Sequence, residues 1–88
     1  MESNSDVIKF PFYIPLKAIG KDHDNYVKFV VDTISEFIDD LNEEEVSIKP
    51  SNGGKYIAVT VPFTAQNRIQ LDDIYQKLNQ DPRTVFLI

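Results

Sequence analysis

The stretch from residue 46 to residue 61 constrains the fold most, because it has the pattern of two strands joined by a tight loop. Apolar residues recur at every second position on both sides of the loop: Val46, Ile48, Ile57, Val59 and Val61. A period of two places such residues on one face of a β-sheet. The loop, residues 50–54, has the sequence Pro-Ser-Asn-Gly-Gly, in which Asn and Gly adopt positive φ at low cost. The stretch therefore predicts an antiparallel hairpin that forms strands two and three of a sheet.

An earlier alternating pattern, from Phe12 to Ile19, predicts the first strand. Pro15 cannot donate a hydrogen bond to a neighbouring strand, so we expect the regular part of this strand to begin at or just after Pro15. Gly20 is expected to end it. Residues 1–9 are polar and uncapped, which predicts a disordered N-terminal tail and a single domain over residues 10–88.

A helical pattern runs from about Tyr26 to Leu41, with Asp24 or Asn25 as its N-cap. Its apolar face is broad, which indicates cover on more than one side. Several acidic residues lie near its end, where they oppose the helix macrodipole, so the helix should stop near Leu41.

A second helical pattern covers residues 65–79 and is expected to be capped by Thr64. Ile69 lies opposite its apolar stripe and should be exposed. The pair Asp81-Pro82 ends the helix. Residues 84–88, Thr-Val-Phe-Leu-Ile, predict a short final strand.

The elements follow in the order strand, helix, strand, strand, helix, strand. Right-handed crossovers then predict an α+β fold, a ferredoxin-like βαββαβ sandwich with a four-stranded antiparallel sheet in the order 4-1-3-2 and two helices on one face. The strand residues expected to face the helices are Ile14, Leu16, Val46, Ile48, Ile57, Val59 and Val61. The other face of the sheet is expected to carry Lys17, Ile19, Lys49, Tyr56, Ala58 and Thr60.

The charge balance excludes several classes of partner. The net charge is −5, which argues against nucleic acid and against an anionic membrane surface. There is no cysteine, so the chain has no disulfide and no thiol nucleophile. Neither a signal peptide nor a membrane-spanning apolar run is present, and we expect a cytoplasmic protein.

Several short motifs occur in order along the chain: Phe10-Pro11, Lys17-x-x-Gly20, Lys49-Pro50-Ser51, Gly54-x-Tyr56 with Val59-x-Val61, and Leu71-x-x-Ile74-Tyr75-x-x-Leu78. Together they resemble the YbeD-like bacterial family of unknown function over almost the whole chain. The resemblance implies a ferredoxin-like fold similar to the ACT-type regulatory domains, which bind small metabolites or pair with neighbouring domains. It implies no particular biochemical activity.

The candidate ligand-binding residues are Lys17, Gly20, Lys49, Ser51 and Tyr56. Lys17 and Tyr56 belong to adjacent central strands and are expected to lie close together on the same sheet face. Two ammonium groups and a phenol on that face are suited to a carboxylate or a phosphate. The alternative is that these long side chains cover the exposed sheet with their apolar stems. The glycine-rich loop could also hold an anion with its backbone N–H groups. That loop leads into a strand rather than a helix, which favours a plain hairpin turn.

His23 lies between Asp22 and Asp24, an arrangement that could begin a metal site. The sequence has no second histidine to complete such a site, so a solvated capping loop is favoured. No nucleophile is tied to His23 as a general base would require. We therefore predict no catalytic residue, no metal and no cofactor. The acidic run 43–45 is interpreted as a solvated loop, with a basic protein partner as the alternative.

The RNA-recognition motif has the same order of elements, with aromatic residues on strands one and three that stack on bases. Here the open face of strand three offers one aromatic residue, Tyr56, and the net charge opposes RNA. From the resemblance to ACT-type regulatory domains and the lysines of the open sheet face, we predict a non-catalytic regulatory module that binds a small anionic metabolite. The alternative is a protein-interaction or self-association domain that uses the edge of strand two or the open sheet face. A weak homodimer through strand two and the first helix is one form of it, with Phe29, Phe37 or Val31 partly exposed beside that edge.

Overall fold

The computed structural model describes residues 8–21 and 25–88. Its elements are β1 (Phe12–Lys21), α1 (Tyr26–Ser35), β2 (Ser47–Pro50), β3 (Tyr56–Ala65), α2 (Arg68–Gln80) and β4 (Thr84–Leu87). The strands form one antiparallel sheet in the order β2-β3-β1-β4, which is the predicted order read from its other edge. The predicted fold class is confirmed. Most of the predicted tail lies outside the described residues, so the domain boundary stays a prediction.

The core lies between the sheet and the two helices. Its largest fully buried side chains come from the sheet and from both helices: Leu16, Val59 and Val61 from the sheet, Tyr26, Val30 and Ile34 from α1, and Ile74 and Leu78 from α2. Of the other strand residues expected to face the helices, Ile57 is buried, and Ile14 and Val46 pack partly against the core. Ile48 is the exception, because it is 51% exposed. Ile48 lies on the same, helix-facing side of the sheet as its cross-strand partner Val59. However, β2 is the edge strand, and all residues of β2 are exposed.

The first strand begins earlier and ends later than predicted, since β1 contains both Pro15 and Gly20. The backbone N–H of Lys17 donates to the carbonyl of Ile88, so alternate nitrogens of β1, including that of Pro15, point to the β4 side. Pro15 lies outside the part of β1 that pairs with β4. Its cross-strand neighbour on β3 is Pro62, which lies outside the part of β3 that pairs with β2. Neither proline removes a donor from a ladder, which is why both are accommodated.

The first helix is shorter than predicted, because α1 ends at Ser35 rather than near Leu41. Its last turn has no basic residue and is followed at once by Glu36, so nothing there favours the negative end of the helix dipole. The chain after the helix still contributes to the core through Ile38, which is 6% exposed. Asn25 occupies the N-cap position in a left-handed conformation without a side-chain capping bond, and Asp24 lies outside the described residues.

The second helix is capped by Asn67 rather than by Thr64. The side-chain oxygen of Asn67 accepts a hydrogen bond of 2.8 Å from the backbone N–H of Gln70. The helix starts late because β3 continues to Ala65, which is fully buried. Ile69 is 74% exposed, as predicted, and α2 ends at Gln80, just before the predicted Asp81-Pro82 break. Within the described ranges, neither helix has the length and apolar character that crossing a membrane requires.

Candidate functional site

One side of the sheet is uncovered by the helices, and we call it the open face. Because alternate residues point to opposite sides of a sheet, the strand register assigns its members. They are Tyr13, Pro15, Lys17, Ile19 and Lys21 of β1, Ser47 and Lys49 of β2, Tyr56, Ala58, Thr60, Pro62 and Thr64 of β3, and Phe86 of β4, with Ile88 just beyond it. Among these described residues there are three lysines and no Asp or Glu side chain, although the whole chain carries a net charge of −5.

Three of the predicted site residues meet in one shallow pocket on the open face. Lys49, Ser51 and Tyr56 line it together with Ile19, and its volume is about 200 Å³. The rest of the lining is Pro50, Ile57 and Ala58. The surface that lines the pocket is almost wholly apolar, so these residues face it mainly with carbon atoms and their polar groups lie at its rim. A small molecule with a short apolar part in the pocket and one anionic group at the rim suits this arrangement.

Lys17 shares the open face but does not lie beside Tyr56, so the expected close approach of these two side chains is wrong. The register places Thr60 opposite Lys17 and places Tyr56 opposite Lys21. Four residues along a strand separate Lys17 from that position, which corresponds to about 13 Å. Lys21 is thus the lysine nearest to Tyr56 on β1. Sequence reasoning missed it because Gly20 was expected to end the strand, and continuing the alternation by one step would have found it.

Gly20 lies on the opposite, helix-covered side of the sheet and does not join the pocket. It is buried, and a Cβ atom at this position would clash with Cζ of the Tyr26 ring. The hydroxyl of Tyr26 lies 2.9 Å from Oγ1 of Thr84, and burial raises the pKa of this phenol. Gly20 is therefore explained by the close packing of the Tyr26 ring against the sheet.

The glycine-rich loop uses its own backbone donors. The N–H of Ser51 donates to the carbonyl of Tyr56, and the N–H of Tyr56 donates to Oγ of Ser51, at 2.9 and 3.0 Å. The N–H of Gly54 donates to the carbonyl of Ser51, while Gly53 and Gly54 have positive φ of 87° and 72°. These three donors are occupied within the turn rather than directed at an anion. The geometry agrees with the hairpin turn that the sequence favoured, and it leaves the hydroxyl proton of Ser51 to face a ligand.

Two other depressions lie near the end of α1, with volumes of about 180 and 410 Å³. Asp40 lines both of them, Glu45 the first and Asp39 the second. Their carboxylates repel an anion, so these depressions are less suited to the predicted ligand than the lysine-bordered pocket. Among residues 8–21 and 25–88, no cluster of three side chains could hold a metal ion, and His23 lies outside those ranges.

Comparison of the sequence with known proteins finds one family. A family model described as "Protein of unknown function (DUF493)" matches residues 5–88. A UPF0250 protein from Paraburkholderia phymatum is 39% identical over 79 residues, which cover 90% of this chain and 89% of that protein. A UPF0250 protein from Chromobacterium violaceum is 36% identical over 81 residues, covering 92% of this chain and 91% of that protein. The matches span nearly the full length of each relative.

Comparison of the structure with solved structures finds the same architecture elsewhere. The ACT domain from the GTP pyrophosphokinase of Chlorobium tepidum superposes with a TM-score of 0.68 at 16% identity, covering 88% of this chain and 95% of that one. The solution structure of protein HP0495 from H. pylori has a TM-score of 0.64 at 18% identity, covering 100% of this chain and 94% of that one. These likenesses confirm the ACT-like fold.

Proposed function

This chain belongs to the DUF493 family of proteins of unknown function, and from that premise we propose that it is a regulatory module that binds a small anionic metabolite and has no catalysis of its own. The observation that carries the proposal is the pocket on the open face, where Lys49, Ser51 and Tyr56 border an apolar floor that includes Ile19. Lys49 would pair with the anionic group, and the hydroxyls of Ser51 and Tyr56 would donate to it.

The size and charge of the pocket define the class of ligand. Its volume of about 200 Å³ is smaller than the pockets of about 300–1,000 Å³ that hold drug-sized molecules. A molecule of the size of an amino acid or a short carboxylic acid matches it. Lys17 and Lys21 add positive charge on the same face, where the described residues include no Asp or Glu side chain. The resemblance to ACT-type regulatory domains supports a ligand-responsive role.

The first experiment is a thermal-shift screen of the whole chain with a fixed panel of amino acids, 2-oxo acids and organic phosphates, each at millimolar concentration. A compound that binds the folded state alone raises the melting temperature, and the rise grows with the logarithm of its concentration above its dissociation constant. We expect at least one small anion to do so. Its binding should then weaken about tenfold to a hundredfold in Lys49→Gln, because a hydrogen bond to a charged group contributes about 1.5–3 kcal/mol. Tyr56→Phe should weaken it less.

The matched control for this screen is Lys77→Gln. Lys77 is an exposed lysine on α2 that pairs with Glu36, so the variant makes the same change of charge away from the pocket. It should leave binding unchanged. The proposal is wrong if no compound of the panel raises the melting temperature, or if the two lysine variants weaken binding equally.

Self-association through β2 is a second candidate function, which the exposure of Ile48 favours. This apolar side chain is 51% exposed on an edge strand whose residues are all exposed, and an edge strand offers unpaired backbone groups to another chain. The first helix contributes less than the sequence indicated. Phe29 and Phe37 are only partly buried, as expected, but Val31 is 9% exposed. Cζ of Arg83 lies 4.9 Å from the centroid of the Phe29 ring, near the start of β4, which is the edge opposite β2.

We expect light scattering after size exclusion to give a mass that rises toward two chains at high protein concentration. Ile48→Glu should abolish this rise, because it places a carboxylate in the apolar contact. Ile69→Glu is the matched control, since Ile69 is 74% exposed on α2. Its mass should follow that of the unmodified protein. A mass of one chain at every concentration would contradict this second candidate.

A further inference from the structure

The β4 side of the open face carries an exposed apolar band. Ile19 of β1 lies opposite Phe86, and Ile88 lies opposite Lys17, with which it exchanges two backbone hydrogen bonds of 3.1 and 2.9 Å. Phe86 and Ile88 are 55% and 58% exposed. We call Ile19, Phe86 and Ile88 the apolar band. Large apolar side chains that are grouped and exposed in this way are typical of interaction surfaces.

A shift in register widens the exposed surface beside this band. Ile19 pairs with Phe86 but Gly20 pairs with Thr84, so Val85 is an extra residue without a partner on β1. Val85 is 52% exposed. In the described part of the chain, β4 is the last strand on this side of the sheet, so its outer backbone groups have no strand partner there.

Positive charge flanks the band. Lys17 and Lys21 lie on β1 two residues to either side of Ile19, on the same face. The acidic residue nearest to the start of β4 in the described chain is Asp81. It forms an ion pair with Arg83, with 2.9 Å between Nε of Arg83 and Oδ1 of Asp81. The two lysines that flank the band have no Asp or Glu side chain beside them among the described residues of their face.

A second copy of this chain is a poor occupant for this surface. Two open faces stacked about a two-fold axis would bring Lys17 and Lys21 close to the same residues of the other copy, and like charges in contact are unfavourable. Single-stranded nucleic acid is also disfavoured. The aromatic residues of the face, Tyr13, Tyr56 and Phe86, lie on three different strands, with Tyr13 and Tyr56 about 27 Å apart along the strands, and form no continuous stacking track. A net charge of −5 further opposes a polyanion.

We propose that the β1–β4 side of the open face binds an acidic, apolar segment of another protein. The apolar side chains of that segment pack on the band, and its carboxylates pair with Lys17 and Lys21. Charge complementarity selects this partner, because the surface combines an apolar strip with two lysine side chains and includes no Asp or Glu side chain among the described residues. Lys49, Ser51 and Tyr56 line the small-anion pocket and take no part in this surface, whereas Ile19 is common to both and Lys17 and Lys21 add positive charge near both.

The test is selection of peptides from a random 12-residue display library on the immobilised full chain, followed by fluorescence anisotropy of the enriched peptides as synthetic probes. We expect enrichment of peptides that combine Asp or Glu with aromatic or aliphatic residues. Lys17→Glu/Lys21→Glu should weaken their binding at least tenfold, and Phe86→Ser should weaken it as well. Circular dichroism should show that each variant remains folded, since all three side chains are exposed.

The matched control is Lys28→Glu/Lys77→Glu, which changes the net charge equally at two exposed lysines on the helices. It should leave peptide binding within about twofold. Lys49→Gln should do the same, so failure of the small-anion pocket and failure of this proposal are distinguishable. Enrichment without acidic residues, or equal loss in the two double variants, would overturn the proposal. So would tighter binding of a 15-nucleotide oligothymidylate than of any enriched peptide.

Discussion

Replacing Val59 with aspartate is expected to unfold the domain. Val59 is fully buried near the middle of β3, and its cross-strand neighbours are Ala18 on one side and Ile48 on the other. A carboxylate at this position would have apolar neighbours and no cation to pair with. Burying an unpaired charge costs several kcal/mol even after relaxation. A domain of this size has a total stability of about 4–13 kcal/mol, so the substitution removes most or all of it.

Far-UV circular dichroism and urea titration measure the effect. We expect Val59→Asp to lose its cooperative unfolding transition. Val85→Asp is the matched control, because it makes the same substitution at a residue that is 52% exposed. Its stability should change by less than about 1 kcal/mol. A folded Val59→Asp protein with a cooperative transition near that of the unmodified chain would contradict the inward placement of Val59.

The alternation that buries Val59 is also the reason that so much of the fold could be predicted from the sequence. A period of two identifies the face of each strand residue, and the inner face of β3 and the open-face position of Lys49 and Tyr56 follow from it. Periodicity does not identify which residues lie side by side across strands. That information resides in the register, which pairs Tyr56 with Lys21 and separates it from Lys17.

The other differences have a common physical origin, which is tertiary context. Ile48 has the pattern of a core residue, and its exposure results from the position of β2 at the edge of the sheet. Pro15 is unfavourable within a strand, and it is accommodated because β4 does not extend alongside it. Neither fact is encoded within the strand concerned. The pocket of Lys49, Ser51 and Tyr56 could be predicted in part because all three residues belong to one hairpin.

Gly20→Ala is expected to destabilise the domain by about 2 kcal/mol, which lies within the range for overpacking a core. A Cβ atom at Gly20 would overlap two ring carbons of Tyr26 and would lie 2.8 Å from the carbonyl oxygen of Arg83. The ring cannot simply move away. It is 2% exposed, and its hydroxyl bonds to Thr84 at 2.9 Å. Urea unfolding measures the loss.

Gly54→Ala separates this steric effect from backbone conformation. Gly54 has a positive φ of 72°, and a Cβ atom at this position would meet nothing within 4 Å. Its substitution therefore costs the left-handed penalty of about 1–2 kcal/mol without a clash. Gly20 has no positive φ, so the whole of its loss must come from crowding. Equal destabilisation would therefore have different causes in the two variants, and a second substitution distinguishes them.

Tyr26→Ala provides that second substitution, because it removes the ring atoms that a new Cβ at Gly20 would meet. Tyr26→Ala alone should destabilise the domain by about 3–5 kcal/mol, as expected for a buried aromatic side chain. Adding Gly20→Ala should then cost at least about 1 kcal/mol less than in the unmodified chain, since residues in contact are not additive. Part of the cost should persist, because the carbonyl of Arg83 is still 2.8 Å away. Gly54→Ala should cost the same in both backgrounds. Strict additivity of Gly20→Ala and Tyr26→Ala would show that contact with the Tyr26 ring does not explain the glycine.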